Sequence, residues 1–214
     1  MDHLLLSGPE SQPASGGKPD SLIVFLHGLG SDGQDLISLA PFFAPQLPGA
    51  HFISPNAPYP CDMAPMGYQW FSLRDWSPAT MLKGAHEAAP ALNLFLDAQL
   101  KRFGLPDSKL ALVGFSQGTM MSLYTALRRP KPCAGVVGFS GALVGEQGVT
   151  AKPPVCLIHG DQDMVVPFGA MALAEALLKH EGVAVTAHAR PDLGHGIDPD
   201  GIDIACKFLK SKLA

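Results

Sequence analysis

Charge is scarce in this chain. Only 16% of its 214 residues are Asp, Glu, Lys or Arg, against about 25% in an average soluble domain. Fifteen Lys and Arg face 19 Asp and Glu, so the net charge is −4, and no block of like charge stands out. A nucleic-acid-binding face needs a basic excess, so that class of partner is excluded. Cysteine is rare as well: Cys61, Cys133, Cys156 and Cys206 are the only four. They are far apart and form no C-x-x-C pair, which argues against a disulfide framework in a chain this long and apolar. Cys133 and Cys156 fall in apolar runs, where cysteine acts as a small hydrophobe. No apolar run approaches the roughly 20 residues of a membrane span. The start, MDHLLLSGPE, lacks the basic region of a secretory leader. These absences imply a soluble, cytoplasmic protein, monomer or homodimer, with no integral membrane association.

What is present is a core. Hydrophobic residues make up 47% of the chain, and 23 glycines and 20 prolines punctuate it. Length favours one domain over residues 1–214, with 1–20 as a flexible, turn-rich region. Apolar runs such as SLIVFL, KLALVGF, CAGVVGF and PVCLIHG alternate with helical patterns such as DGQDLISLAPFF, GAHEAAPALNLFLDAQLKRFG, QGTMMSLYTALRR, PFGAMALAEALLKHEG and PDGIDIACKFLKSKL. Continuous apolar strands between helices predict an α/β protein, with a mainly parallel central sheet covered by helices on both faces. Residues 56–80 read as a long Pro-rich loop holding both tryptophans. Ligands of such sheets bind beyond the carboxyl ends of the strands, which directs the search there.

The first such end is HGLGSDGQD, which contains the G-x-G-x-x-G of a dinucleotide fingerprint at Gly28, Gly30 and Gly33. That fingerprint wants an acid about 20 residues on, and HFISPNAP supplies none. No Gly-Lys-Ser/Thr follows for a P-loop either. The second end is VGFSQG, a G-x-S-x-G pattern centred on Ser116 between a strand and a helix, as a nucleophile elbow requires. Elbow folds place an acid and then a histidine later in the chain. LIHGDQD offers Asp161 and Asp163, and DLGHGID offers His195 between two glycines. Asp163 is preferred to Asp161, which directly follows Gly160 and suits a turn. His195 is preferred to His180, inside a helix pattern, and His188, inside a strand pattern. His159, Asp161 and Asp163 lack the thiolate or second helical histidine of a metal site. The glycine-rich first loop then makes sense as an oxyanion loop, with Leu29 N–H and Gln117 N–H as the donors. Met66, Trp70 and Phe71, with Met164 beside Asp163, are candidates either to line an apolar substrate site or to pack as an ordinary lid.

FLHGLGSDGQD, FISPNAP, GFSQGTMMSLY, GFSGAL, HGDQDMVVP and GHGI, in that order, resemble the phospholipase/carboxylesterase family of α/β-hydrolases, which includes the acyl-protein thioesterases. The resemblance implies the α/β-hydrolase fold, a Ser116–Asp163–His195 triad, an oxyanion hole at Leu29 and Gln117, no cofactor and no metal. It implies hydrolysis of carboxylic or thio esters through an acyl-enzyme. The substrate would be a small or lipid-like ester, or an acylated protein. A lysophospholipase, a dienelactone-type hydrolase and a non-catalytic binding module on the same fold are the alternatives. Thr119 stands where the family has a second glycine, and Ser72 where it has an acid.

Overall fold

A computed structural model describes residues 5–145 and 148–214. Residues 1–4, the start of the segment read above as lacking a leader, lie outside it. The chain runs β1 (Glu10–Ser11), β2 (Ser21–Leu26), α1 (Gly33–Ile37), α2 (Ala40–Phe43), β3 (Ala50–Ile53), β4 (Tyr59–Pro60), β5 (Tyr68–Gln69), α3 (Pro78–Phe103), β6 (Leu110–Phe115), α4 (Gln117–Ala126), β7 (Gly135–Phe139), β8 (Val155–Gly160), α5 (Gly169–His180), β9 (Val185–Arg190) and α6 (Pro199–Leu213). Seven strands form one sheet in the order β1-β3-β2-β6-β7-β8-β9. Only β1 is antiparallel to its neighbour.

Alternate side chains of a strand point to opposite faces, and the core divides accordingly. Leu22, Val24, Leu26, Leu112, Val136 and Leu157 pack under α3, α4 and α5. Ile23, Phe25, Val113, Val137, Phe139 and Ile158 pack under α1, α2 and α6. The expected parallel sheet with helices on both faces is therefore the one observed.

Three local expectations need correction. The N-terminal stretch read as a flexible connection carries the edge strand β1, with Ser54 N–H and Asn56 N–H donating to Pro9 and Ser7 carbonyls at 3.0 and 2.9 Å. A two-residue strand has no period to read. The helix expected over 32–43 is two helices, because Pro41 lacks the N–H that would continue α1 and sits instead in the first turn of α2. The 56–80 loop is shorter than expected: α3 starts at Pro78, capped by Ser77, and β4 and β5 form a hairpin within the loop. α3 runs through Pro90 and ends at Gly104, whose φ of 66° is the left-handed stop favoured by glycine.

β2 is the switch point. Its chain successor β3 lies on one side and β6 on the other. Leu26 is paired with Gly114, so the loops leaving β2 and β6 emerge side by side. They carry His27-Gly28-Leu29 and Ser116.

Candidate active site

Ser116 directly follows β6 and stands at the N-cap position of α4 with φ 54° and ψ −116°. Just three non-glycine residues have positive φ among the described residues: Ser116, Ser140 and Asp192. Ser140 follows β7 and reaches the Gly196 carbonyl at 3.4 Å, and Asp192 opens the loop that carries His195. Strain of this kind, about 1–3 kcal/mol per residue, collects where a fold over-determines its backbone, often at functional sites. The elbow also needs room. A Cβ on Gly118 would stand 1.8 Å from the Leu26 carbonyl oxygen, and one on Gly114 would stand 2.4 Å from the Gly118 backbone. Thr119 is accommodated by glycines opposite: a Cβ on Gly138 or Gly141 would meet its side chain at 2.5 or 2.4 Å. Its hydroxyl lies 2.8 Å from the carbonyls of both Gly114 and Phe139, tying the elbow to β7.

His195 Nδ1 lies 2.7 Å from Asp163 Oδ2. Asp163 is buried, and its Oδ1 accepts Val165 N–H at 2.8 Å and Val166 N–H at 2.9 Å. Buried His159 adds Nε2 at 3.1 Å from Oδ2 and 2.9 Å from the Val166 carbonyl. Burial alone would push the Asp163 carboxyl up. The hydrogen bonds from His195, Val165 and Val166, with the His195 charge, outweigh it and hold the carboxyl below its ordinary value. Asp161 turns away and accepts Asp192 N–H at 2.9 Å. Among the described residues no three His, Cys, Asp or Glu side chains are grouped to hold a metal ion. His180 is on the surface and His188 lies within β9, so neither joins this group.

The His195 ring packs on Phe115, the residue before Ser116, with ring centroids 4.8 Å apart. No hydrogen bond joins Ser116 Oγ to His195 among the described residues; bonds of this type are often long in a free protein and tighten with substrate. Gly28 lies over the same spot, since a Cβ there would come within 3.4 Å of the Ser116 Cβ.

His27 is the residue that sequence reasoning left without a role. It is fully buried. Its Nε2 accepts Ala57 N–H at 3.0 Å, so its proton sits on Nδ1, which donates to the Gly28 carbonyl at 2.7 Å. Burial pushes this imidazole below its ordinary pKa, against the opposing pull of the Gly28 carbonyl, and keeps the ring neutral. A trans peptide points its C=O and N–H in opposite directions. Holding the Gly28 carbonyl therefore aims Leu29 N–H the other way. The Trp70 indole N–H donates to the His27 carbonyl at 3.0 Å, Trp70 N–H donates to Gln117 Oε1 at 2.9 Å, and Gln117 Nε2 donates to the Phe71 carbonyl at 2.7 Å. A chain of hydrogen bonds thus links the Gly28–Leu29 peptide to the Gln117 side chain through the 57–77 loop.

This network bears on the two readings open for Trp70 and Phe71. With 0% and 4% of their surface exposed, Trp70 and the Phe71 backbone act as struts of the loop, the lid-packing alternative of the two readings. Met66 and Met164 are the opposite, 80% and 92% exposed. The only sequence signal for His27 was its place directly before Gly28; for the Gln117 side chain there was none.

A family model described as phospholipase/carboxylesterase matches residues 12–213. The chain belongs to that family. Esterase YpfH of Escherichia coli (strain K12) is 29% identical over 211 residues, which cover 98% of this chain and 88% of that protein. Acyl-protein thioesterase 1 of Mycosarcoma maydis is 31% identical over 224 residues, 92% of this chain and 93% of that protein. The crystal structure of esterase PE8 superposes with a TM-score of 0.92 at 42% identity, covering 97% of this chain and 99% of that one. The sheet and its helices are those of the phospholipase/carboxylesterase family's α/β-hydrolase fold.

Proposed function

We propose that this chain hydrolyses carboxylic esters and thioesters through an acyl-enzyme on Ser116, with His195 as the base and Asp163 as its partner. The observation that carries the reading is the 2.7 Å Asp163–His195 pair beside a serine held at positive φ. Asp163 keeps the His195 proton on Nδ1, which leaves Nε2 to accept a proton. Ser116 Oγ attacks the ester carbonyl and His195 Nε2 takes its proton. The oxyanion is held by Leu29 N–H and Gln117 N–H, at the start of α4 where the helix dipole adds positive potential. As the tetrahedral centre collapses, His195 returns the proton to the departing alcohol or thiol. Water then repeats the sequence and releases the acid. Relatives named esterase and acyl-protein thioesterase support both ester types.

Four unpaired cysteines suit a reducing compartment and support the cytoplasmic reading. No helix among the described residues is long and apolar enough to cross a membrane.

The test is labelling with a fluorophosphonate probe alongside turnover of p-nitrophenyl esters of graded acyl length. Turnover with the probe mapped to Ser116 is expected; turnover that survives complete labelling would move the nucleophile elsewhere.

The strut network gives a separate expectation. Trp70→Phe keeps an aromatic ring but removes the indole N–H that holds the His27 carbonyl, along with part of a fully buried side chain. Losing an oxyanion donor outright costs about 100- to 1,000-fold; loosening one by this route lowers kcat roughly 10- to 100-fold, with KM little changed. Steady-state kinetics on p-nitrophenyl butyrate separate the two parameters. A raised KM at constant kcat would return Trp70 to the substrate site.

A further inference from the structure

Beside the candidate site lies a depression of about 220 Å³, walled by Leu36, Leu39, Phe115 and Ile197, with Asp35 and Ser38 at its polar side. A second, of about 460 Å³, shares Leu39 and Ile197 with it and runs between α2 and α6 past Phe42, Ile202 and Cys206. Leu39 and Ile197 wall both, so the two adjoin as one largely apolar groove, with Gln46 and Asp203 on the edge of the second. Phe42, near its far end, is 60% exposed, a large apolar surface left facing solvent.

The groove starts on the His195 side of Ser116. Phe115 carries the His195 ring at 4.8 Å, and Ile197 is two residues beyond His195. In acyl transfer the base hands its proton to the departing atom, so the departing group must extend past the imidazole. The oxyanion loop is tied to the 57–77 loop, where Gly30 N–H donates to the Tyr68 carbonyl at 2.9 Å. No lysine or arginine lines either depression. Asp35 accepts only the Ser31 hydroxyl through its side chain, at 2.6 Å, and has no cation partner among the described residues. That rim repels an anionic departing group.

We infer that the Phe115–Ile197–Phe42 groove is a leaving-group subsite, which takes the uncharged apolar alcohol or thiol half of the substrate. The inference rests on the proposed esterase reading. A fully buried methylene is worth about fourfold in binding; an open groove covers one side of a chain, so about twofold per methylene is expected in kcat/KM.

The experiment uses two ester series on the whole protein. Alkyl acetates from ethyl to octyl vary the departing group, and p-nitrophenyl esters of matching acyl length vary the acid. In the wild type kcat/KM rises about twofold per methylene along the alkyl acetates. Phe42→Ala shortens the groove, and Ile202→Trp fills it. Each lowers the octyl-to-ethyl preference at least fivefold while the acyl-length slope keeps its wild-type value. Phe42→Ala removes an exposed ring, so it keeps the test alive if Ile202→Trp fails to fold. A flat alcohol series in an active enzyme overturns the subsite alone. So does a change confined to the acyl series, which makes the groove an acyl site. Sedimentation of the same variants covers the remaining occupant: a dimer lost in Phe42→Ala with an unaltered alcohol slope makes this face a contact between copies and overturns the proposal. No turnover of any ester by the wild type overturns the esterase reading, and the subsite with it.

Discussion

Ser116→Ala lowers kcat for p-nitrophenyl acetate by about 10⁵- to 10⁶-fold, the cost of removing the nucleophile from a unit whose members act together. The fold survives, because what the elbow needs from residue 116 is its backbone. Ser116 N–H donates to the Phe139 carbonyl at 2.9 Å, and Ala keeps that bond. No side-chain hydrogen bond of Ser116 is lost among the described residues. Ser116→Gly separates strain from chemistry. It is as inactive as the alanine variant, yet a residue at φ 54° suits glycine. The glycine variant should therefore be more stable than the alanine variant by about 1 kcal/mol in urea unfolding. Wild-type turnover in Ser116→Ala would remove Ser116 as nucleophile. A glycine variant less stable than the alanine one would remove the strain account and leave the kinetic one standing.

The parts of this molecule legible in its sequence are those fixed by short-range sterics. VGFSQG announces its turn because a Cβ at either flanking glycine collides with backbone, at Gly114 within the motif itself and at Gly118 with the neighbouring strand's Leu26 carbonyl. The interior strands are legible because both of their faces are buried, which leaves apolar runs with no polar alternation. Asp163 and His195 could be paired from their places after successive strands, since every such loop opens on the same edge of a parallel sheet. What could not be read depends on partners distant in sequence. Trp70 looks like a substrate-site aromatic until its indole is found on the His27 carbonyl, 43 residues away. The role of His27 follows from the orientation of one peptide plane, and no residue pattern encodes that. Ser77 before Pro78 carries the residue types of a helix start, a signal hidden inside what reads as one Pro-rich loop.

Asp163→Asn costs about 10⁴-fold in kcat, whereas Asp161→Asn costs a few-fold at most. The difference lies in how many donors each carboxylate serves. Asp163 Oδ1 faces two backbone N–H groups and Oδ2 faces two imidazoles. An amide has one accepting end. If its oxygen keeps Val165 and Val166, its NH₂ meets His195 Nδ1 and drives the imidazole proton to Nε2, which can then no longer accept one from Ser116. If it flips, two N–H groups confront the NH₂ instead. Asp161 serves a single donor, Asp192 N–H, and an asparagine oxygen replaces it without conflict. The pH dependence of stability follows from the same contacts. The Asp163 carboxyl titrates lower in the fold than its ordinary 3.8, so the unfolded chain binds more protons between the two values. Its contribution is complete above about pH 4 and is lost as the pH falls through the folded value. The stability gap between wild type and Asp163→Asn should therefore narrow below pH 4, read by denaturant unfolding across that range. An Asp161→Asn variant that loses as much activity as Asp163→Asn would transfer the partner role to Asp161, and a gap that widens on acidification would show that Asp163 is not held ionised by His195, Val165 and Val166.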